Sequence, residues 1–405
     1  MSQVGREALS LALIESRNRT LHLLSACERA LDARPVALHD FGDAPSPLWL
    51  AGHIGWFSEW WIARNTRRAS GIDCPPRPTR LAAIDPDADA RWSSLPPPGS
   101  MRPDSEATRA YLLDTLECTL GLLERADESD AGLYFFRAAL FHEDLCGEAL
   151  VVAAQTLGLP IGMEPAPVVG MREPVRLPAT RWLLGRSPDS PGFVVAQESG
   201  SVTVDVPEFE IDAQPVTWSQ FVEFVDDGGY DRPDLWQPAG RDWLAQQVDG
   251  RRAPRHVESI GAARHGNDSG GAVLQRRFGQ AVRVAGPQSA VHLSWWEADA
   301  WARWAGRRLA TEVEWEVAAQ TASRLGFRWG DVHEWTAGTL RPWTGYRADP
   351  WSAGTDYDPQ SAFGLARVLR GSSFATHARI RSPRRRGFAL PARDDGFFGF
   401  RTCAL

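Results

Sequence analysis

The sequence contains no lysine, and all 44 of its basic residues are arginine. Schiff-base and pyridoxal enzymes, phosphate-binding Gly-Lys-Ser loops and protein kinases all depend on an ε-amino group, so these classes are excluded. The formal net charge of −7 leaves no positive excess that would hold the phosphates of a polyanion. We therefore expect no nucleic-acid partner.

Cysteine and long apolar runs are also scarce. The five cysteines are scattered and never spaced CxxC, which argues against both a disulfide framework and a cysteine zinc knuckle. No apolar run reaches the roughly 18 residues that a membrane-spanning helix needs. The N-terminal segment is amphipathic and charged, unlike a signal peptide. We expect a cytoplasmic protein without a membrane partner.

A chain of 405 residues is long enough for two domains with full cores. In the first part, apolar residues recur at helical spacing in four segments, namely 6–32, 47–68, 105–127 and 130–158. These segments predict a four-helix bundle with a long proline-rich connection between its second and third helices. We assign residues 1–165 to the bundle and 166–405 to a second domain that begins with a linker, 166–178.

The second half differs in composition and holds most of the 18 tryptophans. Short β-branched or aromatic segments, such as 192–197 and 201–217, alternate with loops rich in glycine and arginine. Two segments, 218–230 and 294–320, have helical spacing instead. The prediction is an irregular α+β domain, and hence a two-domain α+β protein.

Two of the nine histidines, His53 and His142, fall in the middle of predicted bundle helices beside large aromatic residues. Cys146 follows His142 by four residues, so the two side chains project from one helix face. Histidines inside a bundle are a common way to hold a metal, and these three residues form a candidate set of ligands. The alternative is that both histidines are hydrogen-bonded core residues and Cys146 a small buried hydrophobe.

The acidic residues next to His142 are poorly placed to be ligands. Glu143 and Asp144 lie about 100° and 200° around the helix from it, and Glu148 is also too far round. We expect these residues to support the helix packing, and Glu143 to orient the ring of a ligand through its second nitrogen.

Longer motifs carry a family resemblance. The second half contains PVTWSQFVEFVDDGGYDRPDLW, VHLSWWEADAWARWAGRRLATEVEWEVAA, GDVHEWTAG, VLRGSSFATHARIRSPRRRGF and FFGFRTC, and the bundle contains PLWLAGHIGWFSEWW and FHEDLCGEAL. The first set resembles the formylglycine-generating-enzyme (sulfatase-modifying factor) fold. Its combination with a DinB-like bundle resembles the ergothioneine-type non-haem iron sulfoxide synthases. WFSEWWIARN and FHED are most similar to the selenoneine synthase branch.

The resemblance implies an Fe(II) centre in which His53 and His142 are the first two ligands. The family's third ligand is a histidine four residues after the second, and here Cys146 occupies that position. A thiolate binds ferrous iron but alters its charge and potential and is easily oxidised. Cys146 is therefore expected to be either an adapted ligand or the mark of lost activity.

The resemblance also predicts how the donor substrate is recognised. Where related enzymes that use γ-glutamylcysteine carry an Asn-Trp-Asp clamp, the loop 386–393 of this chain has Gly387, Phe388 and Ala389. Loss of the aspartate favours a neutral donor such as a selenosugar. Phe388 offers a face for a quaternary ammonium group or, alternatively, plugs the loop with an apolar side chain. Arg393 remains available for a carboxylate or hydroxyl of the donor.

Two further site residues are implied by alignment with the family. Leu145, inside the ligand motif, is expected to contact substrate. Tyr346, in the segment after EWT, is expected to donate a proton or electron near the iron. The alternative for Tyr346 is a buried aromatic ring with a bonded hydroxyl.

The resulting functional hypothesis is an oxygen-dependent iron enzyme that forms a carbon–selenium or carbon–sulfur bond at imidazole C2 of hercynine (trimethylhistidine). The alternatives are a sulfoxide synthase with a cysteine or γ-glutamylcysteine donor and a catalytically silent relative. A formylglycine-generating oxidase needs two cysteines in the second domain, where only Cys403 lies.

Overall fold

The structure is a computed structural model that describes residues 4–33, 45–94, 104–164, 168, 170–187, 190–261, 272–355 and 357–405. Its N-terminal part is a helical bundle composed of α1 (Arg6–Ala33), α2 (Pro47–Ser58), α3 (Ala88–Trp92), α4 (Ser105–Leu123) and α5 (Asp130–Leu157). The domain boundary predicted between residues 165 and 166 lies outside the described residues.

Local sequence sets the ends of the long helices. Ser46 caps α2 by accepting a hydrogen bond from the Trp49 amide, and Pro47 occupies the first helical turn, where its missing N–H is not needed. Ser129 caps α5, which ends at Gly158 in the left-handed conformation (φ 67°). The four predicted bundle helices are confirmed, and α5 has nearly its predicted bounds.

The predicted second helix is too long. The α-helix stops at Ser58 and continues as one π-helical stretch, Glu59–Ala63, which buries Glu59 against the hydroxyl of Tyr111. A π-helical turn requires a local rearrangement of the backbone hydrogen bonds, and such turns are frequent near functional sites. This one begins six residues after His53.

The proline-rich connection is partly ordered and includes the short helix α3. The indole of Trp92 lies so close to Gly52 that a Cβ atom there would be 2.4 Å from the ring. Glycine at position 52 therefore permits Trp92 to reach the middle of α2.

The second domain is built from short strands and helices. Its strands are β1 (Val175–Leu177), β2 (Thr180–Arg186), β3 (Gly200–Val206), β4 (Phe209–Ile211), β5 (Val257–Gly261), β6 (Ala272–Arg277), β7 (Gln280–Val284), β8 (Arg308–Leu309), β9 (His333–Thr339), β10 (Arg367–Gly371), β11 (Arg386–Ala389), β12 (Phe398–Phe400) and β13 (Thr402–Cys403). They form sheets in the orders β1-β4-β13-β8, β11-β10-β9-β12, β5-β6-β7 and β2-β3. The helices are α6 (Trp218–Asp226), α7 (Pro238–Ala245), α8 (Trp295–Trp304) and α9 (Glu312–Thr321).

Three details of this domain differ from the sequence-based predictions. The helical segment 294–320 is two helices, α8 and α9, separated by β8, because Thr311 starts a new capping box with Glu314. The segment 192–197 is not a strand. The linker 166–178 contains β1, which pairs with β4 and so belongs to the second domain's sheet.

The two domains share buried contacts. One continuous apolar core includes α5 residues and residues of the second domain. The hydroxyl of Tyr134 on α5 donates to Asp349 Oδ1 (2.7 Å), and the Ala196 amide donates to the other oxygen (2.6 Å). Burial raises the pKa of Asp349 to about 6. In the described part of the chain, no helix has the length and apolar character required to cross a membrane.

Candidate metal centre and active site

His53 lies in the buried middle of α2. Its Nδ1–H donates to the Trp92 carbonyl oxygen at 2.7 Å, which leaves Nε2 as the nitrogen with a free lone pair. Its ring stacks between Trp49 and Trp56, with centroid distances of 4.7 and 5.4 Å. Burial lowers the pKa of His53, although the bond to Trp92 opposes this effect. The imidazole is therefore neutral and held in one orientation.

His142 lies on α5 and is fully buried, with 0% of its surface exposed. Its ring stacks on Phe57 at a centroid distance of 3.8 Å and an interplanar angle of 6°. Burial, with the nearby His53 as a second cause, lowers the pKa of His142 well below the ordinary value. Both histidines therefore present neutral imidazoles, which is the form that binds metals.

The structure brings His53 and His142 together, with ring centroids 5.0 Å apart. They come from different helices, α2 and α5, so the bundle itself fixes their separation. The pair satisfies the sequence-based prediction that these two side chains converge inside the bundle; their role as metal ligands remains a prediction.

Cys146 is close to His142 but does not complete a set of three ligands. Its Sγ atom is 3.8 Å from Nδ1 and 3.7 Å from Nε2 of His142. A sulfur that shared a metal with one ring nitrogen would lie clearly nearer to that nitrogen than to the other. Burial raises the pKa of the Cys146 thiol to about 12, so it is protonated at neutral pH.

The described residues contain no group of three or more His, Cys, Asp or Glu side chains arranged to hold a metal ion. His53 and His142 are thus the two residues here that could hold a metal, and Cys146 is not placed as a third ligand. The thiol instead packs with the apolar side chains Leu24, Ala51, Ile54 and Leu112.

A tyrosine does lie at the histidines, but it is Tyr357. Its ring is 5.3 Å from that of His142, and its hydroxyl is 3.7 Å from Cys146 Sγ. Tyr346, the tyrosine chosen from the sequence, donates to Asp358 and packs on Phe363. The segment used for that choice ended at Trp351, six residues before Tyr357, although a tyrosine beside aspartates in TDYDP was a usable signal.

Aromatic side chains close the space around the pair. Trp351 of the second domain contacts the rings of Phe57, Phe141 and Tyr357 at 5.7, 6.4 and 5.8 Å. Phe141 in turn contacts Phe193. Rings from both domains thus form an apolar wall beside His142.

The prediction that Glu143 orients a ligand ring is wrong. Its carboxylate accepts from Arg17 Nε (2.9 Å) and from the Thr20 hydroxyl (2.9 Å) inside the bundle. The Trp92 carbonyl performs the orienting role for His53. Because that contact joins residues 39 positions apart, helix periodicity does not reveal it.

Glu148 points to the second domain, where it is the centre of a polar network. It accepts from His333 Nε2 (2.7 Å), the Ser373 hydroxyl (2.6 Å) and the Thr376 hydroxyl (2.9 Å). Burial opposes its ionisation, but His333 and Arg385 outweigh burial and hold the pKa of Glu148 well below its ordinary value. This network ties α5 to the second domain.

The predicted donor loop begins as a strand. Gly387, Phe388 and Ala389 belong to β11, and Phe388 pairs with Val368 of β10. The Phe388 ring packs in a small apolar cluster with Leu340 and Val368, as the alternative interpretation had it, and Ala389 is buried. None of the described contacts joins this strand to His53 or His142.

Two other predicted substrate residues have different surroundings. Leu145 is half-buried on α5, where it lies between His142 and Cys146 in the sequence. Arg393 forms a double hydrogen bond with Asp395 (2.6 and 2.7 Å) and is about half exposed, so its guanidinium is already paired.

Two family models match the chain in the order of its two domains. Residues 12–154 match the DinB superfamily. Residues 163–331 match the sulfatase-modifying factor enzyme 1-like domain. The first match contains His53 and His142, and the second includes His292 and α8.

Curated relatives are similar along nearly the whole chain. Hercynine oxygenase of Mycolicibacterium smegmatis is 28% identical over 98% of this chain and 99% of its own length. Hercynine oxygenase of Mycobacterium tuberculosis is 28% identical over 91% and 95%. The formylglycine-generating enzyme of M. tuberculosis is 32% identical over 46% of this chain and 71% of its own. Together the two family models match most of the chain, as a DinB-like bundle followed by a sulfatase-modifying-factor domain, and the chain is similar to hercynine oxygenases over nearly its full length.

Proposed function

We propose that this chain joins a chalcogen donor to C2 of the imidazole of hercynine in an oxygen-dependent reaction, with Fe(II) as its metal and a selenosugar as its donor, in the cytoplasm. The observation that carries the proposal is the buried pair of neutral imidazoles, His53 and His142, with ring centroids 5.0 Å apart. It occurs in a chain whose full-length relatives are named hercynine oxygenase.

The pair offers two protein ligands, Nε2 of His53 and a ring nitrogen of His142. Ferrous iron at this position would supply the binding and activation of dioxygen. In this geometry Cys146 is not placed as a third ligand. We propose that hercynine and the donor bind beside the two histidines.

The protein side chains contribute orientation and a dry environment. The Trp92 carbonyl fixes the tautomer and the direction of the His53 ring, a kind of support that commonly changes metal affinity by about 10- to 100-fold. The stacking of His142 on Phe57 limits rotation of the second ring. The wall of Phe57, Phe141 and Trp351 keeps water from the reacting groups, which strengthens electrostatic interactions there.

Tyr357 is the group that we propose to hold the proton in the reaction. Its hydroxyl is 3.7 Å from Cys146 Sγ, and its ring lies edge-on to His142. A phenol at this place can donate a proton to an oxygen-derived or chalcogen-derived anion and recover it later. We therefore assign to Tyr357 the proton-donating role that the sequence predicted for Tyr346.

The choice of a selenosugar rests on the resemblance of WFSEWWIARN and FHED to the selenoneine synthase branch. The resemblance also implies that Gly387, Phe388 and Ala389 replace a charged donor clamp, although no described contact joins this strand to His53 or His142. A cysteine or γ-glutamylcysteine donor is the competing possibility, and the unfilled third ligand position favours a silent relative as a second candidate.

A donor competition in a defined reaction tests the proposal. Protein purified without oxygen is loaded with one equivalent of Fe(II). Hercynine is then added together with a selenosugar, cysteine and γ-glutamylcysteine, the three donors at equal concentrations. Oxygen is admitted last. We expect a selenium-containing hercynine adduct as the main product in mass spectrometry, and none from His142→Ala. Sulfur adducts alone would assign the thiol donor instead. No adduct from protein that retains iron and binds hercynine would identify a silent relative.

A further inference from the structure

A cavity of about 650 Å³ lies between the end of the bundle and the second domain. We call it the Arg277 cavity. It is lined by the end of α5 at Gln155, residues 160–164, the β6–β7 hairpin and the segment 287–292. Its lining includes neither His53 nor His142, so it is separate from the candidate metal centre.

Much of the Arg277 cavity is apolar. Phe374 and Phe397 form one side, with ring centroids 4.5 Å apart, and Met163, Phe278 and Val291 complete the apolar surface. A volume of this size lies within the range of small-molecule sites, which are mostly apolar with a few placed polar groups.

The cavity also contains polar groups, among them the carboxylates of Glu164 and Asp331. Gln275 is 1% exposed; its Oε1 accepts from Arg277 Nε (2.8 Å), and its Nε2 has no hydrogen-bond partner among the described residues. His292 is 3% exposed, and its ring is hydrogen-bonded to a backbone group. Since a buried donor without an acceptor is costly, the amide of Gln275 points to a missing acceptor.

Arg277 is a half-buried cation whose partners are neutral. Its Nε and Nη2 donate to the side-chain oxygens of Gln275 and Gln288, at 2.8 and 3.1 Å. Burial lowers its pKa to about 10, and no described carboxylate counteracts this. By contrast, the neighbouring Arg276 is exposed and forms an ion pair with Glu258. The uncompensated charge of Arg277 favours an anion in the cavity.

Unusual backbone conformations surround the same place. In the described part of the chain, the non-glycine residues at positive φ are His256 (65°), Phe278 (46°) and His292 (64°). Phe278 and His292 line the cavity, and the ring of His256 is 4.8 Å from that of His292. Such conformations persist where packing enforces them, and they cluster at binding sites.

We propose that the Arg277 cavity binds a small organic carboxylate. Its carboxylate accepts from Arg277 and Gln275 Nε2, and its apolar body lies against Phe374 and Phe397. This site is independent of the proposed reaction at His53 and His142.

Benzoate is the probe, because it combines a carboxylate with a flat apolar body. Calorimetric titrations of the full chain compare benzoate with its neutral analogue benzamide and with inorganic phosphate. We expect benzoate to bind, and benzamide to bind at least about tenfold more weakly, since a charge-assisted hydrogen bond is lost. Phosphate, which lacks an apolar body, is expected to bind more weakly than benzoate.

Two arginine variants then locate the site. Arg277→Gln is expected to weaken benzoate binding at least about tenfold, while the matched Arg276→Gln, on the adjacent exposed residue, leaves it unchanged. The benzamide comparison needs no variant, so it stands even if Arg277→Gln is unstable. Absence of benzoate binding, equal binding of benzamide, preference for phosphate, or loss of benzoate binding in His142→Ala would each overturn the proposal.

Discussion

In the described part of the chain, two close pairs of imidazoles have different settings, with His256 half-buried and the other three rings buried. His53 and His142 lie on regular helices, with ring centroids 5.0 Å apart. His256 and His292 lie in a turn and a bend at positive φ, with ring centroids 4.8 Å apart. Burial lowers the pKa of all four rings, so residue type, spacing and charge state do not separate the two pairs.

The residues that surround the two histidine pairs differ. The first pair is enclosed by aromatic rings, and no described Arg, Asp or Glu side chain contributes to the lowered pKa of either ring. The second pair lies among charged groups: Arg255 lowers the pKa of both its rings, and Asp394 opposes this effect at His256. The difference teaches that the surroundings of a histidine pair, more than the pair itself, indicate whether the site suits a metal or an anion.

The largest expected effect comes from removing one imidazole of the first pair. His142→Ala should abolish detectable product formation, because it removes a proposed ligand and not only an orienting contact. The matched change in the second pair, His292→Asn, keeps a residue that tolerates positive φ and should leave product formation near that of the parent. Product formation measured by mass spectrometry checks both. Similar losses in the two variants would mean that the pairs do not differ in function.

A smaller loss of activity is expected when the hydroxyl of Tyr357 is removed. Tyr357→Phe should lower kcat by about 10²- to 10⁴-fold with little change in KM, because a positioned proton donor acts in the chemical step. Tyr346→Phe is the control, since that hydroxyl donates to Asp358. Steady-state rates across a range of pH test this, and the basic limb of the kcat profile should change in Tyr357→Phe. Equal rates for both variants would remove Tyr357 from the reaction.

Changes at Cys146 sharpen the description of the first pair. Because the Cys146 Sγ atom is nearly equidistant from both ring nitrogens of His142 and packs among apolar side chains, Cys146→Ala should bind iron as the parent does. Cys146→His should bind iron more tightly by adding a third imidazole, while overpacking lowers the free energy of unfolding by roughly 1–3 kcal/mol. Iron titration and urea unfolding measure the two effects. Loss of iron in Cys146→Ala would make Cys146 an adapted ligand.

The smallest effect concerns pH and the second pair. Burial, assisted by Arg255, lowers the pKa of His256 to about 4 from its ordinary value of 6.5. Between these pH values the unfolded chain binds a proton that the folded chain does not, so the free energy of unfolding falls as pH drops from about 6.5 to about 4. His256→Asn should show a shallower fall in urea unfolding at several pH values. An equal slope in the variant would show that His256 is not a neutral buried group.

The helical part of the candidate site was well predicted from the sequence, because apolar periodicity and capping residues act locally. The start of α5 and the shared face of His142 and Cys146 follow from such local patterns. The end of α2 could not be predicted from local patterns. Its π-helical stretch buries Glu59 beside Tyr111, a residue distant in the chain.

Contacts between distant residues account for the other differences. Trp92 reaches His53 across 39 positions, and Tyr357 reaches Cys146 across 211. The Arg277 cavity combines α5, the β6–β7 hairpin and the segment before α8. Such groupings depend on how the two domains pack, and no spacing within one segment encodes them. For the same reason, the motif that contains Phe388 did not reveal its surroundings. Phe388 packs in an apolar cluster, and none of the described contacts joins it to His53 or His142.

The most direct test of the central claim is the iron stoichiometry of the first pair. The parent, His53→Ala, His142→Ala and His292→Asn are titrated with Fe(II) without oxygen, and the bound iron is detected by the electron paramagnetic resonance signal of its nitric oxide adduct. The account predicts about one iron in the parent and in His292→Asn, and a loss of tight binding in the two alanine variants. Iron retained equally by all four proteins, or by none, would contradict a metal centre at His53 and His142.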